Sequence, residues 1–309
     1  MSDPVRPGLG FALALVTAFL WGILPIFLAI CLQVMDSPTI TVYRFLTAAA
    51  VVGLLLWKRQ QLPRFFRLPM LIKLMAVSAT LMLVTNYVTN VMGLLYLSPA
   101  SAQVLMQIAP FALMIGGILL YKEHFTRLQF IGAISLLSGL LLFFNHRLPQ
   151  IIASESEDVA GIFFIVVAAL TWAAYALCQK SLMRHMTAMQ LTLVLYIVGS
   201  IMLLPFSELY HVLEMNRLQF FALLFCCLNT LFGYGAFTEA MRVWHASRVS
   251  AVLALAPLFT FISMLIAERL LPSMFTQPAL NTTAYVGACM VITGSVLASL
   301  GRERLRAIG

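Results

Sequence analysis

Ten separate stretches of this 309-residue chain are apolar over roughly the 20 residues that an α-helix needs to cross the hydrocarbon core of a bilayer. They cover approximately residues 9–32, 38–57, 70–94, 98–121, 127–145, 160–181, 188–206, 218–241, 247–268 and 281–301. The pattern leaves no room for a soluble domain. Only 10% of the residues are charged and 62% are hydrophobic, against the ~25% charged of an ordinary water-soluble domain. A chain this apolar has lipid as its solvent, and the expected fold is an all-α membrane protein of ten transmembrane helices. The first run has no small-residue cleavage site behind it, so it is read as a retained helix.

The net charge of +8 would suit a nucleic-acid partner, but its distribution describes a membrane topology instead. With the N-terminus placed inside, the cytoplasmic segments hold fifteen Lys and Arg, from Arg6 through the Lys58–Lys73 cluster to Arg302, Arg304 and Arg306. The outer segments hold three, Arg147, Arg217 and Arg269, and Arg44 falls within a helix. Such a bias predicts both termini in the cytoplasm of a bacterial inner membrane, with the lipid bilayer as partner and no nucleic acid.

The five cysteines lie inside apolar runs without a C-x-x-C pair, and the five histidines lie near run boundaries without an i, i+4 pair. Neither pattern predicts a disulfide framework, a metal site or a cofactor.

The two halves, 1–150 and 151–309, read as copies. Gly10 and Trp21 are spaced like Gly161 and Trp172, Ala109-Pro110 matches Ala256-Pro257, and Gly132-Ala133 with Gly139 matches Gly287-Ala288 with Gly294. Glu123 and Glu268 follow the two prolines in the same order. Five helices per half is an odd number, so the second copy enters the membrane from the opposite side. Two inverted five-helix repeats are a construction of secondary transporters, with substrate near the midplane between them.

The Trp21-Gly22 helix, Arg44 early in the second helix, Pro110 with Lys122-Glu123 and Gly132, and the Gly233-Tyr234, Glu239-Ala240-Met241, Pro257 and Glu268 stretch together resemble the drug/metabolite transporter superfamily in its ten-helix EamA-type branch. The resemblance spans nearly the whole chain. It implies export of small metabolites, amino acids or drug-like compounds. Two departures are the proline-to-acid spacing, 13 residues in the first copy and 11 in the second, and a long loop after Glu268.

Polar groups at membrane depth are costly and usually face a partner or a water-filled cavity. Asn86 and Asn90 share a face of the third run, and Gln103 and Gln107 share one on the fourth. Asn229 and Tyr234 fall in the eighth run, Trp21 in the first, and Trp172 and Tyr175 in the sixth. Read functionally, they line a substrate cavity; read structurally, they are interhelical hydrogen bonds and aromatic packing. Pro110 and Pro257 predict helix breaks that are either static kinks or hinges. Arg44 either snorkels outward or gates or pairs with an anionic group, and Glu239 either pairs with Arg242 or carries a coupling proton. Small residues at Ser135/Gly139 and Gly294/Ala298 suit close helix contact within one chain or across a homodimer.

The expected function is a secondary transporter working by alternating access, not an enzyme. No G-x-x-x-x-G-K-[ST] stretch is present to cradle ATP phosphates. The alternatives are a membrane-embedded enzyme, for which neither H-E-x-x-H nor G-x-S-x-G occurs, and a receptor or assembly factor without transport.

Overall fold

The computed structural model describes residues 6–121, 126–145, 158–244, 249, 252–275 and 281–300. Among them every regular element is helical: α1 (Pro7–Cys31), α2 (Ser37–Lys58), α3 (Met70–Gly93), α4 (Pro99–Leu105), α5 (Ile108–Tyr121), α6 (Arg127–Phe143), α7 (Asp158–Leu182), α8 (Ala188–Leu203), α9 (Arg217–Val243), α10 (Ala256–Leu270) and α11 (Thr282–Leu300). Six of these segments are long and apolar enough to cross a membrane: α1, α2, α3, most of α7, α8 with the short turn that follows it, and most of α9. The stretches Arg127–Phe143 and Thr282–Leu297, in α6 and α11, are shorter apolar helices.

Helix starts follow local chemistry. Asp36 caps α2 by accepting from the Thr39 N–H at 3.0 Å, and Pro38 lies in its first turn. Thr126 with Gln129, Thr187 with Gln190 and Asn216 with Gln219 form reciprocal capping boxes at the starts of α6, α8 and α9. Each box satisfies backbone N–H groups that the helix itself leaves unpaired.

The run 98–121, expected as one helix, is two. The chain turns at Met106-Gln107, where Gln107 N–H bonds Val104 O at 3.2 Å and Ala109 N–H bonds Met106 O at 3.0 Å. Pro110 explains the break: it lacks an N–H, and its ring excludes the carbonyl four residues back, that of Met106. A similar break precedes Pro257. The backbone turns at Ala254-Leu255, with Leu255 N–H to Val252 O at 3.0 Å, before α10 opens with Ala256-Pro257 in its first turn.

Packing pairs the helices reciprocally. Helix α1 lies against α9 and α10, and α7 lies against α3 and α5. Helix α2 packs on α8 and α9, while α3 packs on α7 and α8. The closest pair is α6 with α11, where a Cβ added at Gly139 would fall 2.7 Å from Gly287 O, and one at Gly294 would fall 2.6 Å from Gly132 O. Small residues there let two backbones touch, and Ser135 Oγ donates to Met290 O at 2.9 Å across the seam. The two small-residue stripes therefore pack on each other within one chain; Ala298's side chain lies outside the described residues. Buried side chains form one large core around α1, α4, α6, α9, α10 and α11 and another around α2, α3, α7 and α8. Large apolar side chains such as Phe19, Leu55, Phe130, Phe163 and Phe221 are exposed around the perimeter, as lipid contact requires.

Candidate functional site

Seven side chains from six helices converge where the second core meets α1 and α9. Trp21 of α1 packs on Tyr234 and Phe237 of α9, with ring centroids 5.1 and 5.5 Å apart. Tyr234 neighbours Trp172 of α7 and Tyr87 of α3, and Tyr175 and Tyr196 lie beside it. Phe45 of α2 bridges Tyr87 and Tyr196, each 4.8 Å away. By helical rise, Trp21, Arg44, Tyr87, Trp172, Tyr175, Tyr196 and Tyr234 all sit within about 8 Å of the midpoint of their own helix. Trp and Tyr more often collect at the two interfaces, so this depth sets the group apart.

Arg44 is part of the same group. It is only 4% exposed, its Nε donates to Thr230 Oγ1 at 2.9 Å, and its guanidinium carbon lies 4.5 Å above the Tyr87 ring centroid. Thr230 is the central residue of α9, so the guanidinium points toward mid-membrane and away from the interface.

Two amides tie the halves together. Asn86 Nδ2 of α3 donates to Ala168 O of α7 at 2.8 Å, and Asn229 Nδ2 of α9 donates to Leu20 O of α1 at 2.6 Å. Nearby, Thr260 Oγ1 of α10 donates to Gly22 O at 2.6 Å. Pro25 prepares α1 for these contacts. It supplies no N–H for the Trp21 carbonyl, which loosens the ladder where Leu20 and Gly22 take partners from neighbouring helices. Gly233 leaves room beside Asn229: a Cβ there would lie 2.8 Å from Trp21 Nε1 and 3.3 Å from Asn229 Oδ1. Among the described residues the buried Asn229 Oδ1 has no hydrogen-bond partner, and the Tyr87 hydroxyl lies beside those of Tyr196 and Tyr234.

Sequence-predicted residues are thus divided. Trp21, Trp172, Tyr175, Asn229 and Tyr234 come together with Arg44. Asn86 precedes Tyr87 but spends its amide N–H on α7, and Asn90 is half-buried one turn further along α3. Gln107, buried with an Oε1 that has no hydrogen-bond partner among the described residues, sits at the α4–α5 break, and Gln103 is half-buried on α4, a helix that packs against α10, α7 and α1. A cleft of about 240 Å³ opens at the end of α1 between Gln33, Ser98, Met264 and Phe275, apart from the aromatic group. Pro257 is buried at the start of α10, while the ring of Pro110 lies outside the described residues. Glu239 is half-buried on the penultimate turn of α9, and the side chain of Arg242 lies outside the described residues. Lys122, Glu123, His124, Arg147, Arg248 and the loop before Asp158 also lie outside them.

Tyr87, Tyr196, Thr230 and Pro25 were not singled out from the sequence. Pro25 carried a legible signal, a proline four residues after a mid-run tryptophan. Among the described residues no cluster of three His, Cys, Asp or Glu side chains is placed to hold a metal.

The EamA-like transporter family matches this chain twice, over residues 8–145 and again over 159–300. The inner membrane transporter YhbE of Escherichia coli K12, itself described as uncharacterized, is 39% identical over 300 residues, 96% of this chain and 93% of that protein. An uncharacterized transporter of Haemophilus influenzae is 37% identical and spans 97% of each chain. One from Archaeoglobus fulgidus is 24% identical over 91% of this chain and 94% of its own length. A crystal structure of a protein sharing 15% identity matches with a TM-score of 0.63, covering 97% of this chain and 99% of that one, a likeness of fold.

Proposed function

The chain belongs to the EamA-like transporter family, and from that premise we propose that it is a secondary transporter carrying a small amphipathic metabolite across the bacterial inner membrane by alternating access. Family and relatives point to transport in place of catalysis. The observation that carries the reading is the mid-depth group of Trp21, Trp172, Tyr175 and Tyr234 with Arg44, drawn from both halves of the chain. Aromatic walls with a few placed polar groups suit a solute with an apolar body and a polar head.

The architecture proposed for this work is ten spans in two inverted repeats, residues 1–150 and 151–309, with both termini cytoplasmic. Two family matches, one per half, support the repeat. So does the reciprocity of the contacts. Helices α1 with α9 and α7 with α3 are each other's counterparts, as are Gly139 with Gly287 and Gly294 with Gly132. Asn86 and Asn229 each join the third helix of one half to the first helix of the other. An inverted repeat gives one site two nearly equivalent conformations, open to either side. The paired breaks before Pro110 and Pro257 are the places where backbone rearrangement costs least, because their hydrogen bonds are already absent. Export is the direction proposed from the resemblance to drug/metabolite transporters.

The test is flux in liposomes holding the purified full chain, across a panel of radiolabelled metabolites. The expected result is saturable flux without ATP that accelerates when unlabelled solute is placed on the far side. Trp172→Ala and Tyr234→Ala should lower it while insertion is retained. Flux no greater than that of empty liposomes for the whole panel would overturn the reading.

A further inference from the structure

We propose that Arg44 is the anchor for a carboxylate, and hence that the substrate is a small organic anion with an apolar or aromatic body. The inference rests on the transporter reading and names the substrate class of its site.

The argument begins with what surrounds the guanidinium. Thr230 and Tyr87 touch it, and Cys226, Cys227, Tyr196 and Tyr234 are close enough to feel its charge. None of these groups is charged at neutral pH. Among the described residues no carboxylate lies within ion-pair distance of Arg44. Glu239, the acid on α9, is nine residues from Thr230, about 14 Å along the helix. A cation held at this depth without an opposite charge is expensive, and such residues mark substrate or ion pathways.

The donors that remain are also defined. Nε is spent on Thr230, whose own hydroxyl is committed to Cys226 O at 2.9 Å and so accepts from the arginine. One face of the guanidinium is covered by the Tyr87 ring. Among the described residues the two Nη groups make no hydrogen bond, which leaves the end-on fork that matches the two oxygens of a carboxylate. A single cation balances a single negative charge, so a monocarboxylate fits better than a phosphate dianion. The neighbouring Tyr87, Tyr196, Tyr234 and Trp21 supply the apolar wall for its body.

Binding of 3-phenylpropionate, 3-phenylpropionamide and 3-phenylpropylamine to the purified full chain, measured by calorimetry at pH 7, tests the proposal. The three share one apolar body and differ in the charge of the head. The carboxylate should bind, the amide at least roughly 30-fold more weakly, and the amine not at all. Arg44→Gln should abolish the preference for carboxylate over amide, Arg44→Lys should keep part of it, and Thr230→Val should weaken it by misaiming the fork. Equal binding of acid and amide, preference for the amine, or no binding of the carboxylate at millimolar concentration would each overturn the assignment. Should a variant fail to fold, the wild-type comparison of the three heads still decides. The liposome panel separates this from the parent reading: flux of neutral or cationic solutes alone leaves a transporter without a carboxylate anchor, whereas no flux of any solute removes the transporter itself.

Discussion

At the scale of the residue, the same side chain types do two jobs, and geometry separates them. Asn86 and Asn229 spend their N–H groups on carbonyls of α7 and α1, so their first effect is cohesion between the halves. Replacing either by Leu should lower stability by about 1 kcal/mol, the usual worth of an interhelical bond in lipid. A fall in the unfolding temperature of the detergent-solubilised protein checks this, and an unchanged temperature for both variants would show that the bonds carry no stability. Asn229→Leu should also lower flux, since Asn229 Oδ1 and Trp21 Nε1 flank the same glycine. Glu239 is a different case. It is half-buried one turn from the end of α9, close to cytoplasmic water in the proposed topology and about 14 Å along the helix from Thr230. Glu239→Gln should therefore leave the response of flux to an imposed pH gradient intact. Transport that no longer responds to the gradient, with exchange preserved, would instead assign it the coupling proton.

Elements behave as their prolines dictate. The first four residues of α5 and the first two of α10 contain Pro110 and Pro257, and in both places short i→i+3 bonds replace the regular ladder. If these breaks are hinges, Pro110→Ala and Pro257→Ala should restore continuous helices and raise stability by about 1 kcal/mol or more each. The same variants should slow flux by roughly tenfold, because hinge residues govern the conformational step. Faster or unaltered flux in both would make the breaks static kinks. The expectation of a single helix over 98–121 failed for a local reason: hydropathy reports that a segment is in lipid but is blind to a missing N–H. The proline itself was legible, and the position of the break, at the carbonyl it excludes, follows from it.

For the whole molecule, the proposed topology makes a direct prediction. A reporter fused at Arg304 should read cytoplasmic, and one inserted between Glu155 and Asp158 should read periplasmic; the opposite result at Arg304 would contradict the distribution of basic residues. The sequence alone determined that this chain is a helical membrane protein of the EamA-like transporter family; the pairing of Trp21 with Trp172 and of Pro110 with Pro257 as corresponding positions belongs to the proposed repeat. Helical spans are legible because a helix satisfies all its backbone hydrogen bonds within one segment, so that each span must be a long apolar run. Only the tertiary structure decided what the polar groups do. Whether Asn86 lines a space or bonds Ala168 depends on which helix lies opposite, and whether Arg44 reaches the interface or Thr230 depends on the packing of α2 on α9. Tyr87 and Tyr196 join the site through contacts between segments more than 100 residues apart. Periodicity along a helix identifies a face, but the partner of that face is set by the fit of all the helices at once, where lipid and neighbouring helices are almost equally apolar and small residues, hydrogen bonds and shape make the choice.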